Sequence, residues 1–394
     1  MAKTLDAPIV GLNSDDVFPG PWVYARHVAA APGVNDGDLV EVRDRSDRFL
    51  GHALFNGRSN IVLRWLHRGR KNDLARPADF LEAQLRRADQ LRRKTLRLEA
   101  TTDAYRMVHA EGDGLSGLIV DRLGDTLVVE YHALGFWRLK DEIEGALGRI
   151  YPGFRVLHRV PRVARKIEDF DPEVPPPADG RPVILTENEI RWELEPGDGH
   201  KTGWFADQRE NRLRVAQLAR GRRVLDLCTN LGGFALQAAR AGARAVEAVD
   251  LDEKVLATAE ATARANKLDV RFLHDDLFDR LRDAEERDEQ WDIVILDPHK
   301  IVASKAALER GRRTYQDMNA LAVGRVRPGG LFVTFSCSGA VERPAFYGWV
   351  FGAARRAERD VRLLASLEAG PDHPQDPAHP RSNYLKGALL AVDR

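Results

Sequence analysis

Between Arg223 and Lys300 the chain repeatedly places an acid where an apolar run stops. VLDLCTNLGGFALQAA opens with Val224–Leu227, a run fit for a buried parallel strand that carries Asp226. It turns on Gly232 and Gly233 and continues as an Ala-rich helix. AVEAVDLD follows, and its apolar run ends on Asp250. A carboxylate about 20 residues past the glycines of a strand–turn–helix unit is where an open α/β sheet holds ribose hydroxyls. A further apolar run ends on Asp297-Pro298, and Cys337 follows the run Leu331–Phe335. A thiol at a strand end is a potential nucleophile, although an unpaired Cys is more often a small buried hydrophobe.

The spacing of the glycines excludes two common cradles. It is not G-x-G-x-x-G, and no G-K-[ST] follows the turn, so neither a dinucleotide nor a triphosphate is expected. A cofactor without a pyrophosphate suits the turn, and S-adenosylmethionine (SAM) fits, with its ribose diol and charged amino-acid tail. An ordinary packing unit would account for the glycines but not for the acids after successive strands.

These motifs need a large scaffold. The chain has 394 residues, 43% hydrophobic and 30% charged, which is ordinary globular composition and too long for one core. Its two cysteines, Cys228 and Cys337, cannot make a disulfide framework and point to a reducing compartment. No basic-then-apolar leader opens the sequence and no apolar run approaches 18 residues, so a cytoplasmic location is expected, with neither a membrane partner nor a metal. Net charge is formally zero, a mild argument against nucleic acid, but charge is uneven. From Arg58 to Arg97 there are 12 Lys/Arg against four acids, and HRVPRVARK (158–166) adds Arg159, Arg162, Arg165 and Lys166. A solvated helix face would explain such runs, as would RNA contact through two basic patches.

Short β-rich runs separated by turn chemistry predict a small barrel over residues 1–72, closed to remove its edges. A central α/β domain is expected over 73–182. It would hold one charged helix at 77–98 (apolar at Phe80, Leu81, Leu85, Leu91 and Leu96), strands within 104–135, a helix at 137–148 and a basic strand. PEVPPPADGRP (172–182) reads as a stiff connector. Strands then alternate with helices over 183–394, which predicts a doubly wound parallel sheet.

Seven segments come in one order: GHKTGWFADQRENR (199–212), LDLCTNLGGFAL (225–236), HDDLF (274–278), LDPHK (296–300), RPGGLFVTFSCSG (327–339), DHP (372–374) and YLK (384–386). Together they resemble the SAM-dependent methyltransferases that form 5-methylcytosine in large-subunit rRNA. The opening PWVY and LVEVRDRSDRFLGHALFN resemble that family's RNA-binding PUA barrel, and YRMVHAEGDGLSGLIVDRLGD its central domain. The resemblance covers nearly the whole chain. It implies a Rossmann-like class I SAM methyltransferase domain preceded by a PUA β-barrel and a small central α/β domain. SAM is the implied cofactor and rRNA the implied partner, met through the basic surface of the first two domains. A homodimer is compatible with it.

In such sheets Asp226, Asn230, Gly232 and Gly233 would shape the pocket around the methionine end of SAM, and Asp250 would grip the ribose diol. The resemblance implies that Asp276 faces the adenine amino group, with Asp275 solvated, and that Lys201, Asp207, Gln208 and Arg209 lie near the SAM tail. It implies Cys337 as nucleophile and Asp297 as the acid that stabilises protonated N3 or orients the base, and that also binds the cofactor. Cytosine C5 is a poor nucleophile, so the chemistry needs a thiol adding at C6 and a flipped or looped-out base. His299 and Lys300 are the cations expected to favour the thiolate. Two departures stand out: the family usually has D-P-P-K where this chain has Asp297-Pro298-His299-Lys300, and Y-T-G-G-F where it has Asn230-Leu231-Gly232-Gly233-Phe234. The readings left beside this one are a same-fold methyltransferase acting on another RNA base or a small molecule, and an RNA-binding protein without catalysis. Cys228 is expected inside the first strand as a packing residue.

Overall fold

Five short strands make the amino-terminal sheet: β1 Ile9–Gly11, β2 Trp22–Tyr24, β3 Leu39–Arg43, β4 Phe49–Phe55 and β5 Ile61–His67, in the order β1-β3-β4-β5-β2. A bridge between Leu12 and Val28 ties the end of β1 back to the segment after β2, so the two outer strands are joined and the ring has little open edge. Val10, Val23, Val40, Val42 and Leu63 fill it, each fully buried. The computed structural model describes residues 7–15, 19–74, 76–174, 180–194, 204–379 and 382–393. They divide into two compact units. One takes the chain to Leu185 together with Trp204 and Pro371–Ser382; the other takes Thr186–Leu194, Phe205–Gly370 and the chain from Asn383 onward. The main break falls between Leu185 and Thr186.

The first unit continues with α1 Pro77–Gln90 and a four-stranded sheet, β6 Ala104–His109, β7 Leu118–Leu123, β8 Thr126–Tyr131 and β9 Arg155–Arg159, ordered β6-β7-β8-β9. The expected helix at 137–148 is two, α2 Leu134–Arg138 and α3 Lys140–Ile150. They form the crossover that makes β9 parallel to β8. α4 Arg162–Glu168 follows. The helix expected over 77–98 stops at Gln90 and widens into a π turn at Leu91–Thr95. The reason is Arg92, which turns inward and is fully buried. Its guanidinium makes two bonds to Asp113, at 2.6 and 2.8 Å, and others to the carbonyls of Arg106 and Asp372 at 2.8 and 2.6 Å. Arg64 is buried as well. Two of the twelve cations counted toward a basic surface are therefore structural, and the Arg58–Arg97 expectation is corrected to that extent.

Arg64 donates to Glu168, at the end of α4, at 2.9 Å. The same carboxylate accepts from Ser59 Oγ at 3.0 Å, Asn56 Nδ2 at 3.2 Å and the Leu134 amide at 3.2 Å. One buried acid thereby satisfies donors from the barrel and from the crossover helices.

The second unit is built on seven strands: β12 Arg223–Leu227, β13 Ala245–Asp250, β14 Arg271–His274, β15 Trp291–Leu296, β16 Val326–Ser336, β17 Val361–Leu367 and β18 Lys386–Val392. Their order is β14-β13-β12-β15-β16-β18-β17. A small hairpin, β10 Val183–Glu187 and β11 Ile190–Leu194, precedes them. The helices are α5 Arg209–Gln217, α6 Gly233–Arg240, α7 Glu253–Ala265, α8 Leu277–Glu286, α9 Leu308–Gly324 and α10 Arg343–Arg356. The first five strands in that order are parallel, as the alternation predicts, so their carboxyl ends share one edge. The doubly wound expectation needs one amendment: β18 runs antiparallel to both β16 and β17. Val224, Leu225, Ile293, Val294 and Val333, all at 0% exposure, show that both faces are covered.

Replacing Glu168 by Ala removes the hydrogen-bonded carboxylate of buried Arg64 and leaves only Glu111 at 4.0 Å; breaking a buried pair typically costs about 3–5 kcal/mol. Chemical denaturation should show the first unit's transition moved to lower denaturant; an unmoved midpoint would refute the role assigned to this acid.

Candidate functional site

The carboxyl edge of the parallel strands begins at β12. Its strand ends at Leu227, so Cys228 is not inside the strand as expected but is the first residue of the turn. Cys228 and Asn230 have φ of 60° and 51°, and Gly232 has 76°. Glycine adopts that region freely and Asn tolerates it, whereas for Cys it costs about 1–2 kcal/mol. Strain of this kind gathers where a loop is held for a purpose. Gly233 opens α6 over Arg212, where an added Cβ would stand 2.8 Å from Arg212 Cδ. Arg212 is in turn buried in a two-bond pair with Glu187, at 2.6 and 2.7 Å, and donates to the Phe205 carbonyl at 3.0 Å.

Around this turn the predicted acids converge. Asp226 is fully buried; its Oδ2 accepts from Thr229 Oγ1 at 2.5 Å and the Ala235 amide at 3.1 Å, while Oδ1 has no partner. Burial pushes its pKa up to about 7, helped by Asp297 and Asp250. Asp250, ending β13, takes the Asn230 amide on Oδ2 at 2.8 Å and the Asp252 amide on Oδ1 at 3.0 Å. Two backbone donors thus fix its carboxylate at the strand end. Asp276 lies two residues beyond β14 and caps α8 through the Phe278 amide at 2.7 Å; Asp275 accepts from the Asp276 amide at 2.8 Å. Asp297 follows β15, and one of its oxygens accepts from Gln208 Nε2 at 2.9 Å. The Cys228 thiol registers the gathering: burial raises it first, then the charges of Asp250, Asp297, Asp226 and Asp276.

The segment before α5 joins the same edge. Gln208 is held by Asn211 Nδ2 at 2.6 Å, and Asp207 accepts from the Tyr384 hydroxyl at 2.5 Å. Arg209 is buried and pairs with Glu210 at 3.3 Å. Lys201 lies outside the described residues. Beyond β15, His299 and Lys300 are exposed. Cys337 follows β16, half-buried, and packs against the apolar cluster that contains Phe335 and Leu385. Its flanking serines are fixed: Ser336 Oγ accepts from the Tyr315 hydroxyl at 2.8 Å, and Ser338 Oγ from the Val302 amide at 3.1 Å.

Lys386 was not assigned a role from sequence, although YLK stands among the family-like segments. It is buried and pairs across strands with Ser336. The signal lay in the motif, but its place beside Cys337 depends on an antiparallel pairing that local pattern does not encode. Glu187 and Arg212 were likewise unassigned.

The arrangement suits a cationic ligand that carries hydroxyls. The acids gathered at this edge, with Asp226 crowded by Asp250 and Asp297 and left with an orphaned buried oxygen, favour positive charge there, and Asp250 is oriented to accept from hydroxyls. No helix among the described residues is long and apolar enough to cross a membrane.

Two stretches of the chain match known protein families. Residues 179–386 match the model of the S-adenosylmethionine-dependent methyltransferase family, and residues 20–68 match a PUA-like domain. Ribosomal RNA large subunit methyltransferase I of Aeromonas salmonicida (strain A449) is 34% identical over 379 residues, 94% of each chain. The protein of that name from Vibrio cholerae (strain ATCC 39541) is 32% identical over 386 residues, 94% of this chain and 95% of its own. Among solved structures, SMU.776 complexed with SAH aligns with a TM-score of 0.79 at 22% identity, covering 98% of this chain and 99% of that one. A SAM-dependent methyltransferase from Streptococcus mutans aligns at 0.78 and 22%, covering 98% and 100%.

The raised Asp226 carboxyl gives a pH test. In the unfolded chain this group ionises near pH 4; in the folded protein it holds its proton to about pH 7. Stability should fall as pH rises through that window, by an amount on the order of a few kcal/mol. Asp226→Asn should flatten this component of the slope. Denaturant midpoints at pH 5 and pH 8 for both proteins check it, and parallel slopes would contradict the assignment.

Proposed function

The chain belongs to the S-adenosylmethionine-dependent methyltransferase family, and we propose that its acceptor is C5 of a cytosine in large-subunit ribosomal RNA. The observation that carries the reading is the position of Cys337, a thiol at the end of β16 on the same edge as Asp226, Asp250 and Asp297. Nitrogen and oxygen acceptors need no such thiol; cytosine C5 does. The names of the full-length relatives support RNA as the substrate class, and so does the PUA-like domain.

The site residues fit SAM. Asp250 would take the ribose hydroxyls on the lone pairs its two amide donors leave, and the free oxygen of Asp276 would face the adenine amino group. Asp226, Asn230, Gly232 and Gly233 would enclose the methionine end, with Asp207, Gln208 and Arg209 beside it. When bound, SAM supplies an electrophilic methyl group on a sulfonium, to which C5 couples once thiol addition at C6 has made it enamine-like. The Cys337 thiolate would form the bond to C6. After methyl transfer, which leaves S-adenosylhomocysteine, a base takes the C5 proton, the C5–C6 double bond re-forms and the sulfur departs as thiolate. Asp297, its carboxylate aimed by Gln208, would hold the base at N3. His299, exposed after β15 in place of a second proline, would face the entering acceptor.

RNA would meet the first unit through the cations that remain on its surface. Arg86, Arg87, Arg162 and Lys166 are exposed, and Val163 and Ile167 stand exposed among the latter pair on α4. Reversing these four charges should weaken RNA binding and reduce its salt dependence, with SAM affinity unchanged.

Asp250→Ala in the full-length protein should weaken SAM binding by about 2–4 kcal/mol, the loss of two charge-assisted hydrogen bonds. Calorimetry decides, and unaltered affinity would remove Asp250 from the site. Cys337→Ser should keep SAM affinity while abolishing transfer of labelled methyl to rRNA. RNA containing 5-fluorocytosine should cross-link to wild type and not to this variant. Normal methylation by Cys337→Ser would exclude the cytosine C5 reading and favour a nitrogen or oxygen acceptor.

A further inference from the structure

We propose that Lys386 is a positioning residue for Cys337, its buried ammonium holding the sulfur as thiolate and fixing the strand end that presents it. The purpose of this arrangement rests on the cytosine reading above; its geometry does not.

Topology brings the two together. Among the seven strands β18 alone runs against its neighbours, so its first residue lies where β16 ends, and Ser336 faces Lys386 in the ladder. The Lys386 Nζ donates to the Ser338 carbonyl and to the Tyr384 carbonyl, each at 2.7 Å. One of these acceptors is the residue after Cys337. The side chain is 2% exposed, and no carboxylate is among its bonded partners within the described residues. A buried ammonium held only by neutral carbonyls is costly, because their dipoles do not replace a counter-ion. The nearby charge that favours it is the Cys337 sulfur; Arg343 and Lys300 oppose it, and burial with these cations brings Lys386 down to about 8. On the Cys337 side, Tyr315, whose hydroxyl burial pushes up, also senses Cys337 and Asp297. The ion pair that would satisfy the ammonium is therefore with the thiolate. No proton passes between them: the Cys337 proton leaves to water, the sulfur keeps the electron pair, and Lys386 stays protonated. Tyr384 extends the arrangement, since its hydroxyl donates to Asp207 while its carbonyl accepts from Lys386.

The test reads the thiol directly. Full-length wild type, Lys386→Met and Lys386→Arg are alkylated with iodoacetamide from pH 5 to 10, with Cys337 and Cys228 followed separately by peptide mass spectrometry. Lys386→Met should slow Cys337 alkylation at pH 7 by about tenfold or more and move its rate–pH midpoint upward, while Lys386→Arg retains most of the wild-type rate. Cys228, raised by burial and by the surrounding acids, should stay slow in all three. An unchanged Cys337 rate in folded Lys386→Met overturns the proposal. If that variant does not fold, the wild-type profile decides, and a midpoint at or above the ordinary thiol value of about 8.5 overturns it equally. Trapping by 5-fluorocytosine RNA runs alongside. Slowed alkylation together with lost trapping supports both readings. A wild type that never traps, but whose Cys337 reactivity depends on Lys386, sinks the cytosine acceptor and leaves the Lys386 assignment standing.

Discussion

A buried ion pair between Glu187 and Arg212 underlies the geometry of the second unit. Neither side chain has meaningful exposure, so the pair is worth having only because its bonds are short, double and supplemented by the Phe205 carbonyl. What it secures is the floor of the glycine turn. With Arg212 immobile beneath Gly233, α6 starts at one height above β12, and the turn must reach it through left-handed residues. That path carries the Asn230 amide to Asp250 and the Ala235 amide to Asp226. Loss of the pair would therefore be felt first in the orientation of two acids to which neither partner is bonded.

The edge so formed is electrically graded. On the β14–β12 side stand acids that accept from backbone amides and a neighbouring hydroxyl. On the β16–β18 side stands a lysine whose ammonium is relieved by carbonyls. Asp297, just after β15, stands between the two halves. The grading follows from strand direction: acids terminate parallel strands, whereas the lysine begins the antiparallel one.

The sequence made most of this edge legible. An apolar run carrying Asp226 and runs ending on Asp250 and Asp297 announce strands, and a helix period separates them, so local pattern was enough. Cys337 was legible on the same grounds. Lys386 was not, because a residue opening a strand is recognised as close to another strand's end only when the pairing direction is known, and an alternating α/β pattern argues for parallel. Arg64 and Arg92 were misread for a related reason. Basic runs are usually solvated, and burial of an arginine depends on Glu168 and Asp113, partners distant in sequence. Cys228 fell one residue beyond the strand, where the apolar run continues but the backbone has already turned.

The path from β17 to β18 has a consequence for modularity. Those strands are neighbours in one sheet, yet the chain between them yields Pro371–Ser382 to the other unit. There the Asp372 carboxylate accepts the Arg106 amide at 2.9 Å, and its carbonyl accepts from Arg92. Residue order and three-dimensional membership therefore disagree. A fragment cut near residue 183 would carry this segment without the arginines that receive it, and recombination between relatives at that point would separate Asp372 from its bonding groups. Inheritance of the two units is thus coupled: a change near Arg92 or Arg106 must be accepted by a stretch of chain almost at the opposite terminus.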